Sequence, residues 1–571
     1  MDSGRFLLAV VLMIAVMVVT NLLLPPPQPP LPEIAPDSVA RTGIDAGRSP
    51  ADSLLPAQDV TRTSVADTGA ATAAITAAGG AAGDTLVVSS PLFEYRIATR
   101  GGAVLGARLL EFASQTSDSA TAVELAVPAV PLFSYGLRIG TREVALGSLP
   151  FTVRPDTSFN AGAAGAPQTL ELLHDGADFD VAIRYAFDPA DYVIGVRIAV
   201  SGTGDQVPVL HLRLPGTLAM NEAKTNEDER LLAYVFNNER EGIGSVRLET
   251  IDEERVSNGP LHWVAVKNKY FVAAALTDPT LDSRFGGVVA RPVPEEFAAD
   301  LTATLVPAAD RSFSFRLYIG PQEPARLARL GNGFSDVNPF GWRPFRPILR
   351  PLGHAIQWAL FGMHDLLGIG YGWVLVLFGV LIRLLLWPLN ARAMRSQMKN
   401  MEIQPKLKEI QAKYKAEPEK LQKEMLRLYK EEGFNPMGGC LPMLVPLPIL
   451  ITLFFVFQAT IAFRGVEFLW LPDLSRADPL YILPVLLGVS MFLMQWLSGR
   501  SMTEINPQMK FMMYAMPLFM TVIFLNFASG LNLYYAAMNF ASLPQQVQIM
   551  RERQRFQATR PDSGRSTPIS K

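Results

Sequence analysis

Arg383 lies inside a long apolar stretch, Val374 to Leu389, that contains no other charged residue. Arg392 is nine positions farther along the chain, so in a helix Arg383 would lie about 13 Å from it along the axis. A charge at this depth in a bilayer costs a few kcal/mol unless it reaches water or polar partners. Two interpretations follow. Either the side chain extends to the headgroup region, or it faces a hydrated cavity that is a functional site.

The other apolar segments carry polar side chains that would serve as partners of Arg383 in such a cavity. They are Gln458, Gln495, Asn526, Asn532, Tyr534, Tyr535 and Asn539.

A basic segment, residues 400–433, follows the apolar stretch of Arg383. Its apolar residues recur at heptad-like spacing before and after Pro418, which predicts two amphipathic helices in an antiparallel hairpin. Each helix would open with a proline in its first turn, Pro405 in the first and Pro418 in the second. The remaining faces carry Lys406, Lys408, Lys413, Lys420, Lys423 and Arg427. Such a surface is either a solvated face or a docking surface for nascent chains, ribosomal RNA or anionic lipid.

These residues must be positioned by membrane-spanning helices. Six segments are apolar enough to cross a bilayer, which takes a helix of about twenty residues. The first, within residues 1–24, is longer than a signal-peptide core and lacks a small-x-small cleavage site, which favours a retained anchor over a cleaved signal. The others are 371–389, 439–457, 480–497, 511–527 and 531–549.

Basic residues predict the orientation of these spans, since Lys and Arg accumulate in short cytoplasmic loops. The loop 391–437 holds eleven, and the tail after Met550 holds six. The loop 460–479 holds only Arg464 and Arg476. Both termini, including the basic tail 551–571, are therefore predicted in the cytoplasm and the region before residue 330 outside it.

The part of the chain between the first two spans divides into three regions. Residues 25–83 are rich in Pro, Ala, Thr, Ser, Gly and Asp, which predicts a disordered tether. Residues 84–330 alternate apolar and polar side chains, as in 181–187 and 313–319, which predicts a large all-β sandwich. Residues 338–370 mix aromatic and basic side chains, which is typical of a helix in the headgroup region. The alternative is a linker helix packed on the β-domain.

Several other classes of protein are disfavoured. A single cysteine, Cys440, excludes an intrachain disulfide framework and a cysteine-based zinc site. No His-Glu-x-x-His or Gly-x-Ser-x-Gly motif is present, so we expect no catalytic residue, metal, cofactor or small-molecule substrate. A transporter would show internal repeats, which we do not find, and a sugar-binding β-domain lacks a convergent cluster of polar residues.

Several motifs together resemble the YidC/Alb/Oxa insertase family in its Gram-negative YidC form. They are Arg383 with Trp-Pro-Leu beginning four residues later, the basic hairpin, Asn435 to Met443, Leu480 to Pro484, and Ser529 to Tyr535. The resemblance implies a six-span helical protein of the bacterial inner membrane, with a periplasmic β-supersandwich and a five-span insertase core over 371–550.

The resemblance also implies a function. The core of this family inserts and helps fold membrane proteins through a hydrophilic groove, alone or with the Sec translocon. Nascent membrane proteins are the substrates, and the ribosome and membrane lipids are further expected partners. The groove residues that it implies here are Arg383, Gln495, Asn532, Tyr534 and Tyr535.

Overall fold

The computed structural model describes residues 85–116, 121–162, 168–278, 284–295, 297–339, 341, 345–414, 417–431, 446–499 and 507–558. The predicted anchor (1–24) and tether (25–83), and the tail from 559, lie outside these residues. Two compact units are present, and the described residues 403–414 and 417–431 of the basic hairpin belong to a different unit from the β-domain and the other helices.

Strands fill the chain from residue 85 to residue 321, where alternation predicted them. They are β1 (Thr85–Ser89), β2 (Phe93–Ala98), β3 (Val104–Ala113), β4 (Ala122–Glu124), β5 (Ser134–Ile139), β6 (Arg142–Ala145), β7 (Thr152–Arg154), β8 (Phe159–Asn160), β9 (Gln168–Asp175), β10 (Asp180–Phe187), β11 (Val193–Ser201), β12 (Pro208–Leu214), β13 (Ala233–Asn238), β14 (Gly242–Arg247), β15 (Arg255–Lys267), β16 (Phe271–Thr277), β17 (Phe285–Pro292), β18 (Ala299–Leu305) and β19 (Ser312–Pro321).

These strands form two sheets whose inner faces share one hydrophobic core. The smaller sheet has the order β4-β3-β2-β1-β8. The larger follows β6-β5-β12-β18-β17-β15-β16-β19-β11-β10-β9-β7, with β13 and β14 added beside β15. In its centre Ile183 is opposite Ile198, and Ile194 is opposite Leu317, all of them buried. Period-two patterning therefore predicted both the sandwich and which face is buried.

Helices make up most of the described chain after residue 321, with one short helix inside the β-domain. They are α1 (Thr225–Glu229), α2 (Pro324–Arg329), α3 (Arg346–Leu367), α4 (Tyr371–Lys413), α5 (Pro418–Glu431), α6 (Pro446–Ala459), α7 (Ile482–Gly499), α8 (Pro507–Phe524) and α9 (Ser529–Ala558).

Helix α3 occupies the region predicted to lie in the headgroups. Prolines do not break it, because Pro347 stands in the first turn and only Pro351 lies in the interior. Its N-terminal half contacts the β-domain, where the buried carboxylate of Asp336 pairs with Arg350 and lies 3.4 Å from Nε2 of His354. Farther along, Trp358 is 79% exposed. One helix thus combines contact with the β-domain and an exposed aromatic side chain.

Apolar helices follow α3. Among the described residues, one stretch is long and apolar enough to cross a membrane, Tyr371–Ala391 of α4, with 21 residues. Pro448–Ala459, Ile482–Leu497 and Tyr514–Phe524 are apolar but shorter. The count of six spans therefore stays a prediction.

The structure differs from the prediction for the basic hairpin at the start of its first arm. The second arm, α5, begins at Pro418 as expected. The first arm is not a separate helix opening at Pro405, because α4 continues without a break from Tyr371 to Lys413. A proline removes one backbone N–H and bends a helix without having to end it. The prediction treated Pro405 as a helix start and was wrong on that point.

The connector between α6 and α7, residues 460–481, is fixed to the β-domain by polar contacts. Arg464 pairs with Glu222 at 2.8 Å, and their side chains are only 5% and 6% exposed. Gln115 donates a hydrogen bond to Asp473 at 2.8 Å, and Ile461 belongs to the hydrophobic core of the sandwich. The β-domain and the ends of the apolar helices are thereby joined through buried contacts.

Candidate functional site

Arg383 lies in α4, twelve residues after the helix begins. Its Nη2 donates a hydrogen bond of 2.8 Å to Oε1 of Gln545 on α9, and Nε2 of Gln545 donates one of 3.1 Å to the carbonyl oxygen of Trp387. Gln545 is only 1% exposed. The arginine is thus bound to a buried neutral side chain of a neighbouring helix.

Two donors on α4 have no hydrogen-bond partner within the described part of the chain. They are Nε of Arg383 and Nδ2 of Asn390, and both atoms are buried. Seven residues, about two helical turns, separate the two, so they lie on the same side of α4. Buried donors almost always find an acceptor. This side of α4 is therefore suited to binding water or acceptor groups of another molecule.

Helices α4 and α9 approach each other closely one turn before Arg383. A Cβ atom at Gly379 would lie 2.9 Å from the carbonyl oxygen of Tyr534 and 3.3 Å from the backbone nitrogen of Met538. A larger residue would push the helices apart. Gly379 thus permits the approach that brings Gln545 within reach of Arg383.

Polar side chains of α9 also bond to the other helices. Nδ2 of Asn532 donates to the carbonyl of Phe524, the last residue of α8, at 3.0 Å. Nδ2 of Asn539 donates to Oγ of Ser490 on α7, also at 3.0 Å. With Gln545, these side chains connect α9 to α8, α7 and α4 in turn. Helix α9 is the polar centre of the bundle.

The predicted groove residues do not all gather around Arg383. Tyr534 is buried against Phe378 of α4, with ring centroids 5.7 Å apart, and its hydroxyl is 3.4 Å from the sulfur of Met538. The half-buried Tyr535 ring instead contacts Phe524 at 5.5 Å. Asn532 is fully buried, with Oδ1 lacking a partner among the described residues. Gln495, half-buried on α7, forms no hydrogen bond to Arg383 in the part described.

Two other candidate partners, Gln458 and Asn526, line a separate cavity of about 490 Å³. Its walls also include Glu222, Lys269 and Arg476. It therefore lies where the helix ends meet the β-domain, and the prediction that these two side chains solvate Arg383 is not supported by their positions.

Sequence reasoning missed the residue that does contact Arg383. Gln545 is one of several polar residues in the last apolar segment, but no feature of the sequence indicates that it contacts Arg383. The necessary signal is the alignment of α4 with α9, which is set by the close approach at Gly379. How two helices align with each other depends on tertiary packing, and the sequence pattern of a single helix does not reveal it.

The basic side chains of the hairpin that the structure describes lie at its surface. Lys406 and Lys413 are exposed near the end of α4, and Lys408 lies in the same helix. Lys420, Lys423 and Arg427 are exposed on α5. Part of this charge is already paired, since Lys420 contacts Glu417 and Arg427 lies 2.7 Å from Glu431. Exposed pairs of this kind contribute little to stability, because water screens both charges. A docking role stays a prediction.

Two family models match the chain. One is described as the YidC periplasmic domain and matches residues 85–354, and the other is described as the 60Kd inner membrane protein and matches residues 362–557. The membrane protein insertase YidC of Cupriavidus necator is 31% identical over 529 residues, 89% of this chain and 90% of that relative. The chain belongs to the YidC family.

Other YidC proteins resemble the chain over much of its length. The membrane protein insertase YidC of Prosthecochloris aestuarii is 29% identical over 434 residues, 72% of each chain. The solved structure titled "Active YidC insertase crystal structure with the first transmembrane domain resolved" is 19% identical, with a TM-score of 0.32. It covers 82% of this chain and 92% of that one. The family models and the relative from Cupriavidus necator confirm the family that the motifs predicted.

The two matched ranges divide the chain as the fold does. The YidC periplasmic domain match covers β1 to β19 and reaches into α3. The inner membrane protein match covers α4 to α9, and so includes Arg383 and Gln545. The roles of individual side chains stay predictions.

Proposed function

We propose that this protein is a membrane protein insertase of the inner membrane, in which Arg383 and the polar side of α4 receive the polar segment of a client. The observation that carries the proposal is the state of Arg383. Its charge lies in the apolar stretch Tyr371–Ala391, one N–H is bonded to a neutral buried amide, and Nε is buried without a partner among the described residues. Membership of the YidC family, whose relatives carry the name membrane protein insertase, supports it.

A polar groove lowers the barrier that a client's translocated segment meets. Each backbone polar group without a partner in hydrocarbon costs several kcal/mol. Water and the donors of Arg383 and Asn390 would supply hydrogen bonds during entry. A carboxylate about 4 Å from the guanidinium would gain roughly 4 kcal/mol at an effective dielectric constant of 20. That is enough to attract an acidic tail and still permit its release.

The client's apolar helix needs a different surface, and one is present beside the polar centre. Val485, Val489 and Phe492 are exposed along one side of α7, and Leu518 and Val522 are exposed on α8. Rings of Phe492 and Tyr514, 5.9 Å apart, join the two helices. A client helix would pack on this face as it enters the lipid. Its own burial, at about 25 cal/mol per Å² of apolar surface, supplies the free energy, and no covalent bond is made or broken.

The proposal includes an orientation and partners. Both termini and the basic hairpin lie in the cytoplasm, where the exposed lysines would bind ribosomes or anionic lipid. The β-domain lies in the periplasm, and α3 lies in the outer headgroup region with Trp358 toward lipid. Nascent membrane proteins are the clients, received directly or beside the Sec translocon. Chaperoning follows from the same surfaces, since they shield polar and apolar parts of a client separately.

Reconstitution tests the function itself. Purified protein in liposomes should protect the translocated tail of a small single-span client from added protease, and protein-free liposomes should not. Equal protection in both would contradict the insertase proposal. Uptake of small solutes by the same vesicles would point to a transporter.

A further inference from the structure

We propose that Gln545 is a positioning residue for Arg383. It holds the guanidinium against α9, so that the remaining N–H donors of Arg383 point toward the client's polar segment. This inference rests on the proposed insertase function and assigns a role to a residue on the opposite helix.

The carboxamide of Gln545 uses both of its ends. Its oxygen accepts from Nη2 of Arg383 at 2.8 Å, and its NH₂ group donates to the Trp387 carbonyl at 3.1 Å. Arg383 and Trp387 are four residues apart, so Gln545 joins two consecutive turns of α4. Only a group with an acceptor and a donor at this distance makes both bonds. The orientation of the amide, and with it that of the guanidinium, is therefore fixed.

A neutral partner preserves the charge that the function requires. Within the described part of the chain, Arg383 forms no ion pair with an acidic side chain. A guanidinium has five N–H donors, and one of them is used by Gln545. A carboxylate at position 545 would neutralise the arginine and compete with acidic groups of a client. The amide orients Arg383 without this competition.

Both helices carry a proline next to this contact. Pro388 follows Trp387 in α4, and Pro544 precedes Gln545 in α9. Each proline removes one N–H from the hydrogen-bond ladder of its helix. Gln545 is almost fully buried at this place. Gln545 thus joins α4 and α9 where the backbone ladder of each helix lacks one hydrogen bond.

The test separates positioning from simple stability by using two clients that differ only in one tail residue, Asp or Asn. In liposomes, Gln545→Leu should lower insertion of the Asp client roughly tenfold, in keeping with the loss of one hydrogen bond to a charged group. The Asn client should change less than twofold. Gln545→Glu should impair the Asp client at least as much. Gln546→Leu, the same change one residue along α9, should leave both clients unchanged.

A double-mutant cycle with Arg383→Ala completes the test. If Gln545 acts through Arg383, Gln545→Leu should have no further effect in the Arg383→Ala background. Equal losses for both clients, or losses that multiply in the double variant, would overturn the inference and leave a packing role. If Gln545→Leu does not fold, Gln545→Glu carries the comparison of the two clients. Failure of the wild type to insert either client would instead contradict the proposed function.

Discussion

Gly379 sets the distance between α4 and α9 one turn before Arg383. The closest atom to a side chain at this position is a backbone oxygen, that of Tyr534, which has little freedom to move aside. Backbone packing at one residue thus controls whether the amide of Gln545 reaches the guanidinium. The Arg383 site depends on a residue that carries no polar group.

Gly379→Ala should therefore destabilise the protein by about 1–3 kcal/mol, the usual cost of overpacking. Thermal unfolding in detergent measures this effect. Gly362→Ala is a matched control, because a Cβ atom at that position in α3 meets nothing within 4 Å. A variant at Gly379 as stable as that at Gly362 would mean that the two helices are not in close contact there.

At the scale of elements, the buried pair of Glu222 and Arg464 connects the β-domain to the α6–α7 connector. Burial raises the pKa of Glu222 to about 7, although Arg464 acts in the opposite direction. The pKa of this carboxyl is higher in the folded protein than in the unfolded chain, where it is near 4.5. The protonated carboxyl therefore contributes its full stabilisation to the fold at a pH below about 4.5. That contribution is lost as the pH rises through about 7.

Glu222→Gln should remove this loss of stability. We compare the melting temperatures of the variant and the wild type at each pH. From pH 5.5 to pH 8 the difference should shift in favour of the variant, by an amount equivalent to roughly 2 kcal/mol of unfolding free energy. The exposed Glu253→Gln is the control and should follow the wild type at every pH. A relative melting temperature that falls with pH would show that attraction by Arg464 outweighs burial.

Local patterns predicted elements better than they predicted contacts between elements. The alternation in 181–187 and 313–319 identified β10, β19 and their buried faces, because side-chain direction in a strand follows directly from the sequence. The single charge in an apolar stretch marked Arg383 as a candidate site residue in the same way. The partner of Arg383 was not predictable, because the register of α4 against α9 depends on packing at Gly379. The continuous α4 was missed because a proline is compatible with both the start and the interior of a helix.

At the scale of the whole molecule, the proposed orientation puts the β-domain and the basic hairpin on opposite sides of the membrane. The chain has one cysteine, Cys440, so Cys440→Ser gives a cysteine-free background for labelling. Val256 in the β-domain and Lys423 in α5 are both exposed, so we expect a cysteine at either position to be accommodated.

In that background, Val256→Cys should react with a membrane-impermeant maleimide in intact spheroplasts. Lys423→Cys should react only after the membrane is permeabilised. Labelling of both sites in intact spheroplasts would contradict an orientation derived from the distribution of Lys and Arg.

The central claim is that a positive charge at Arg383 carries insertion through a polar site inside the bilayer. The most direct measurement compares wild type, Arg383→Ala and Arg383→Lys in liposomes, by protease protection of a small client. We predict that Ala lowers protection at least tenfold, because the charge is lost, and that Lys retains most of it. Full activity of Arg383→Ala would contradict the claim and leave the exposed apolar face of α7 and α8 as the surface that guides the client.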